Sequence, residues 1–438
     1  MVYHRKALRA RHTGTGAPEK QLLCVASDPA ALPHPRWCDE GRGTALAGPY
    51  FNMSEAFGHN RKPKLLLVAP VPPPLGGARV SAKLFVDYVE SKGDVHVVHY
   101  DLPVRALEQD KDSRTKILRT ALKTLQILCE LPFARNTVIF CSRNFGVSIG
   151  PPLICIAKLF RRPVYLRFFG GRPMQSKYLK IPFVGCVLLW LLRGAEKIIV
   201  ETRQGASEFP PHLRSNIEVI PGYRPPTPPD VGDKRRPKAC VSFVYVGAVN
   251  EAKGVLDLLN AFANMRDQAT DIPPVELHIY GTGDQTVTEK LASAPKVVWH
   301  GAVPNDDLRR QLPAHDVFVF PSRYDTEGHP GVVVEAMMAP LAIIASCSSD
   351  SISDLITDGE EGILIPAADV SSLRDAMICL ARNPAKRDEL AAKALIKSRQ
   401  FDSRHVLPLL SAAFGLSVTA RETDSSKELD AVPGYDAP

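Results

Sequence analysis

Apolar residues enter this chain in short blocks set between longer amphipathic stretches. The blocks fall at 64–70, 94–100, 137–141, 163–168, 197–200 and 217–220. After a break they return at 241–246, 276–280, 297–300, 317–320, 342–345 and 362–365. Each is too short for an ordinary helix, and most are rich in Val, Ile or Leu, so each predicts a strand. Helix-length segments separate them, near 82–91, 111–130, 151–160 and 181–193 in the first set. In the second set they lie near 254–266, 285–293, 305–312, 331–339, 350–356 and 371–382. Apolar strands alternating with helices predict an α/β chain whose parallel sheets are covered on both faces. Two sets predict two Rossmann-like, doubly wound domains facing a cleft at the C-terminal ends of their strands.

The 438 residues exceed one ordinary core, consistent with two domains. Residues 1–61 mix Gly, Pro and Arg without period and predict a disordered extension. The first domain then covers 62–221. Residues 222–239, dense in Pro and charge, predict an exposed linker. The second domain covers 240–400. A helix over 401–416 is expected to cross back to the first domain, and the polar tail 417–438 is expected to be disordered.

Composition narrows the chemistry. With 45% apolar and 23% charged residues the chain is globular in type. Its net charge of +7 suits nucleotides, phospholipid headgroups or nucleic acid, or serves solubility alone. No basic, aromatic-interleaved stripe favours nucleic acid. The nine cysteines are scattered, without CxxC or Cys/His spacing, so no metal site is expected. Cysteines in apolar runs, such as Cys155, predict small buried hydrophobes in a reducing compartment. No secretory signal pattern opens the chain, and the most apolar run, 181–192, is too short to span a bilayer. Basic residues from Lys158 to Lys197 surround that run. This suits either an interfacial membrane contact or a core helix with a solvated rim.

The most informative motif is Glu327-Gly328-His329-Pro330-Gly331-Val332-Val333-Val334-Glu335, after a strand and entering a helix. The order leaves Glu327 in a loop and puts Glu335 inside the helix, with the helix N-terminus between them. Free N–H groups and the positive dipole end make that terminus a seat for a phosphate. Two acceptors for sugar hydroxyls flanking a phosphate seat predict a nucleotide-sugar site. Lys253 and Gly254 follow another strand, where a cation can neutralise a leaving diphosphate or sit at the surface. Gly76 and Gly77 follow the first strand, where backbone approaches a ligand or simply turns.

Gly247 to Gly254, Gly281-Thr282-Gly283-Asp284, Gly301, Pro321-Ser322, the Glu327/Glu335 pair and Asp358 to Pro366 occur in that order. The combination resembles the retaining glycosyltransferases of family four (glycosyl transferases group 1), strongly over 241–385 and only by architecture before it. The resemblance implies a GT-B fold and transfer of a sugar, with retention, from a nucleotide-diphosphate sugar to a sugar or lipid-linked acceptor. It implies a role in surface polysaccharide or glycolipid synthesis at the cytoplasmic membrane face, with neither cofactor nor metal. It assigns the ribose hydroxyls to Glu335, and the donor sugar and diphosphate to Glu327, the 328–331 backbone and Lys253. Gly247, Gly281 and Gly283 join the donor site, and Glu327 and Lys253 carry the chemistry. His329 touches the donor or only bonds backbone.

Two departures stand out. An Arg usual after the first Gly is Ala248 here, so Arg323 is a candidate replacement. A His usual near 170 is absent from Leu166-Arg167-Phe168-Phe169-Gly170-Gly171-Arg172, where Arg167 and Arg172 serve acceptor or phosphate, or solubility. A non-catalytic sugar-nucleotide-binding protein and a GT-B epimerase are the rivals.

Overall fold

The computed structural model describes residues 62–72, 76–101, 113–228 and 240–416. The expected extension 1–61, the tail 417–438 and residues 229–239 of the expected linker lie outside the described residues. The first half holds strands β1 (Lys64–Val68), β2 (His96–Tyr100), β3 (Asn136–Ser142), β4 (Val164–Phe169), β5 (Lys197–Val200) and β6 (Ile217–Val219). The second holds β7 (Val241–Val246), β8 (Val275–Tyr280), β9 (Val297–Gly301), β10 (Val317–Phe320), β11 (Ala342–Ser346) and β12 (Ile363–Ile365).

Each half forms one six-stranded sheet, ordered β2-β1-β3-β4-β5-β6 and β12-β11-β10-β7-β8-β9. Every pairing is parallel. Parallel strands need crossover connections, and the amphipathic segments between the apolar blocks supply them as helices. The chain reverses its winding direction between β1 and β3 in the first sheet and between β7 and β10 in the second. At such points the loops leave on opposite faces and open a crevice. The loops carrying Gly76-Gly77, Gly247 to Gly254 and Glu327 to Gly331 follow β1, β7 and β10.

Each sheet is packed on both faces. The helices Ser113–Glu130, Gly150–Leu159 and Val184–Leu192 cover one face of the first sheet through Ile127, Leu153, Ile154 and Leu192. Its other face is closed partly from the far end of the chain. The helix Ser403–Ala413 lays Val406, Leu407 and Leu410 on Phe85, Phe140 and Tyr165. Asn136 Nδ2 donates to the Phe414 carbonyl at 2.6 Å. Each such buried Leu or Phe contributes about 1.5–3 kcal/mol.

Three expectations change. The start of the expected exposed linker is buried: Tyr223 is 1% and Arg224 4% exposed. The Arg224 N–H donates to the Phe401 carbonyl (3.0 Å) and the Arg224 carbonyl accepts from Ser403 N–H (2.9 Å), so the outgoing and returning segments lie together. Cys155 is exposed and, among the described cysteines, only Cys141 is buried; position 155 falls on the outer side of its helix.

The third concerns the apolar run at 181–192. Its helix buries only Gly185 and Leu192, while Phe183 is 79% and Trp190 65% exposed. Phe183 also holds a left-handed φ of 62°, a conformation that costs about 1 kcal/mol or more in a bulky residue. Of the 18 exposed large hydrophobic residues among those described, 12 lie between Leu118 and Trp190. The outer layer of the first half is therefore an apolar surface, unlike that of the second. No described helix is long and apolar enough to cross a membrane.

Candidate active site

The second sheet supplies a compact set of loops. Asn250 caps the short turn Glu251–Lys253 by accepting from Lys253 N at 3.0 Å. Gly254 follows with φ 71°, and a Cβ there would stand 1.9 Å from the Pro321 carbonyl. Only glycine lets this turn pass so close behind β10. Lys253 Nζ consequently reaches the Glu327 carboxylate in a tight ion pair. Ser322 Oγ donates to the same Glu327 oxygen at 3.0 Å, and the lysine lies over the Tyr324 ring. Ser351 Oγ donates to the Glu327 carbonyl at 2.7 Å, fixing the loop from β11's side.

The helix Gly331–Met338 begins at this loop. Glu335 lies one turn inside it and is 4% exposed. Its Oε1 accepts from Arg224 Nε (3.0 Å) and Asn305 Nδ2 (3.2 Å). Its Oε2 is buried with no hydrogen-bond partner. An ionised carboxylate is acceptor-only and costly to bury unsatisfied, so this oxygen is a vacant receptor for a donor group. Thr326 Oγ1, Arg172 Nε and His329 Nε2 are further buried atoms without partners around the same loops. His329 Nδ1 accepts from Gly222 N at 3.1 Å, which assigns the remaining proton of the neutral ring to Nε2; Asp354 Oδ2 lies 3.8 Å from that nitrogen.

The first half meets these loops directly. A Cβ at Gly171 would stand 2.3 Å from the Glu327 carbonyl, and one at Gly328 2.3 Å from Glu201 Oε2. The Gly170 N–H donates to that Glu201 oxygen at 3.3 Å, and Gly171 N–H to the Thr326 carbonyl at 3.4 Å. Three glycines thus let the two halves approach backbone to backbone. Gly77 lies on the far side of Arg224 and offers its carbonyl to Nη2 at 3.2 Å, while Gly76 is exposed beside it.

Several predicted residues take other positions. Arg323 donates through Nε at 2.6 Å and through Nη2 to the two oxygens of Asp257, and Glu251 is also near, so its charge is already neutralised. In this arrangement it pairs with Asp257 rather than with Glu327. Arg167 is wholly buried, not a solvated loop residue. Its Nη2 donates to the Pro221 carbonyl (3.0 Å), and the guanidinium lies between Phe169 and Tyr223. Burial pushes the Tyr223 phenol up, against the pull of both arginines. Gly247, Gly281 and Gly283 pack the β7 and β8 loops on each other: Cβ atoms at 281 and 283 would lie within 1.9 Å of the Gly247 and Val249 carbonyls.

Glu201, Arg224, Asn305 and Ser351 had no sequence signal, being isolated polar residues in unremarkable surroundings. Among the described residues, no group of three or more His, Cys, Asp or Glu is placed to hold a metal ion.

Residues 241–383 match the family described as glycosyl transferases group 1. The chain is 31% identical over 172 residues to a phosphatidyl-myo-inositol mannosyltransferase of Mycobacterium leprae, covering 38% of this chain and 44% of that one. It is 24% identical over 162 residues to O-antigen chain mannosyltransferase B of Escherichia coli, covering 36% and 41%. The matched stretch thus spans under half of these relatives. Over the whole fold the chain resembles Anabaena Alr3699/HepE, crystallised with UDP, at a TM-score of 0.61 and 16% identity, covering 81% of this chain and 99% of that one. With its two doubly wound six-stranded sheets the chain has the GT-B fold, and residues 241–383 of its second half match the glycosyl transferases group 1 family.

Proposed function

We propose that the chain is a glycosyltransferase that moves a sugar from a nucleotide-diphosphate donor to a sugar or lipid-linked acceptor, in glycolipid or surface-polysaccharide synthesis. The observation that carries this is Glu335: a buried carboxylate with one unpartnered oxygen, one turn inside a helix whose N-terminus faces both halves. A ribose diol supplies the missing donors, and a diphosphate attached to it falls at the free N–H groups of the helix. Lys253, steered by Glu327, neutralises charge on the departing diphosphate. The anomeric C–O bond to phosphate breaks and one to the acceptor oxygen forms on the same face. The acceptor proton passes to the leaving phosphate oxygen. His329 is no base in this scheme, because its Nδ1 lone pair is held by Gly222 N–H.

The apolar layer of the first half supports docking on an anionic membrane surface at the cytoplasmic face. Phe183, Trp190, Leu159 and Phe160 are exposed there, beside exposed Lys158, Arg161, Lys177, Lys180 and Arg193. Apolar insertion with a basic rim is the pattern of interfacial binding.

The test is calorimetric titration with UDP-, GDP- and ADP-sugars, followed by measurement of released nucleoside diphosphate. We expect binding of at least one donor and slow hydrolysis without acceptor. Lys253→Ala is expected to cut turnover about a hundredfold with the fold retained. A wild-type chain that binds no donor sinks the proposal. Binding without hydrolysis or transfer leaves a binding protein, and an altered free sugar nucleotide points to an epimerase.

A further inference from the structure

Arg224 is the most heavily committed charged side chain at the meeting of the two halves. Nε donates to Glu335 Oε1 (3.0 Å), Nη1 to Ser81 Oγ and the Tyr223 carbonyl (2.7 Å each), and Nη2 to the Gly77 carbonyl (3.2 Å). A guanidinium has five N–H donors, so these four bonds leave one, on Nη2. That nitrogen lies against the first residue of the Gly331–Met338 helix: a Cβ at Gly331 would stand 1.7 Å from Nη2 and 2.0 Å from Cζ. Two positive features, the helix N-terminus and a guanidinium 4% exposed, therefore adjoin each other. The carboxylate shared between them is Glu335, and it keeps Oε2 unpartnered. The local charge is in excess for one carboxylate and suited to a further anion.

We infer that Arg224 faces the diphosphate of the donor, doing the work for which Ala248 has no side chain, and that it aligns Glu335 by holding Oε1 so that Oε2 meets the ribose. This rests on the nucleotide-sugar reading above. Because the same guanidinium also holds Gly77 and Ser81, donor binding is coupled to closure of the first half on the second. A purely structural staple would make the same four bonds, so the discriminating quantity is phosphate dependence.

The experiment measures dissociation constants of uridine and UDP, of guanosine and GDP, and of adenosine and ADP, for the full chain at two salt concentrations. Arg224→Ala is expected to weaken the diphosphate about 10- to 100-fold, the scale of one charge-assisted hydrogen bond, and the nucleoside much less. Arg224→Lys restores part of the diphosphate affinity. Arg224→Gln, which keeps a donor beside Glu335 but removes the charge, repeats the diphosphate-selective loss and covers the case in which Arg224→Ala fails to fold. An unchanged diphosphate-to-nucleoside ratio in the folded variants overturns the inference and leaves the nucleotide-sugar reading standing. Wild-type chain that binds none of UDP, GDP and ADP overturns both.

Discussion

The two halves are built on one plan and differ in how they are finished. Both are six-stranded parallel sheets, but the first winds as β2-β1-β3-β4-β5-β6, whereas the second has three strands on one side of its switch point and three on the other. In the second half the loops beyond β7, β8 and β10 are glycine-tight and hold Lys253, Glu327 and Glu335 in fixed relation. In the first half the corresponding loops offer mainly backbone, at Gly77, Gly170 and Gly171, and the distinctive chemistry lies on its outer layer. One half concentrates charged side chains in its loops, and the other exposes apolar side chains on its outer layer. The difference teaches that a doubly wound sheet leaves its loops and its outer helix faces independently adjustable.

The largest expected effect breaks the junction between the halves. Glu335→Ala strands a buried guanidinium and should cost about 3–5 kcal/mol in urea unfolding, with loss of nucleotide binding. Glu327→Ala removes a pair whose lysine is 27% exposed and should cost no more than about 1 kcal/mol. Equal costs would mean that the two pairs are not distinguished by burial, against the geometry described. A second test separates the outer layers. Phe183→Ser with Trp190→Ser should abolish sedimentation with anionic phosphatidylglycerol vesicles while leaving nucleotide affinity unchanged. Stability should stay within about 0.5 kcal/mol, as for exposed positions. Undiminished vesicle binding would remove the membrane assignment from this face.

The smallest effect belongs to the edge of the second sheet. His300 stacks on Tyr280, bonds His278 at 3.0 Å, and is held below the ordinary histidine range by burial. The unfolded chain then takes up its proton at a higher pH than the folded one. The contribution to stability is present above about pH 6.5, the unfolded value, and is lost as pH falls below it through the lower folded-state value. His300→Gln should flatten this shallow slope in pH-dependent melting, and an unaltered slope would assign it elsewhere.

Much of the fold was legible because strand length and apolar continuity are local properties. All twelve predicted strands are present, within two residues at most ends. The helices Arg143–Ser148, Arg203–Ser207 and Pro384–Ser398 were not legible: the first two are barely one or two turns, and the third is a polar amphipathic segment behind an Asn383 cap. The apolar run at 181–192 shows why composition misleads. Its residues are as apolar as any core helix, yet only Gly185 and Leu192 are fully buried, with Leu188 and Leu189 partly packed on the core. Arg323 shows a partner that spacing does not announce, since Asp257, 66 residues away, pairs with it.

By itself the sequence determined two parallel doubly wound sheets, the strand–loop–helix placement of Glu327 and Glu335, and the resemblance that the family match over 241–383 supports. These depend on period, spacing and residue type, which are written along the chain. Only the tertiary structure decided that Arg224 meets Glu335, that Arg167 is buried and that Phe183 and Trp190 are exposed. Each of those depends on which surfaces meet. Arg224 lies 111 residues from Glu335 along the chain and 3.0 Å from it in space, a proximity created by two sheets closing on each other.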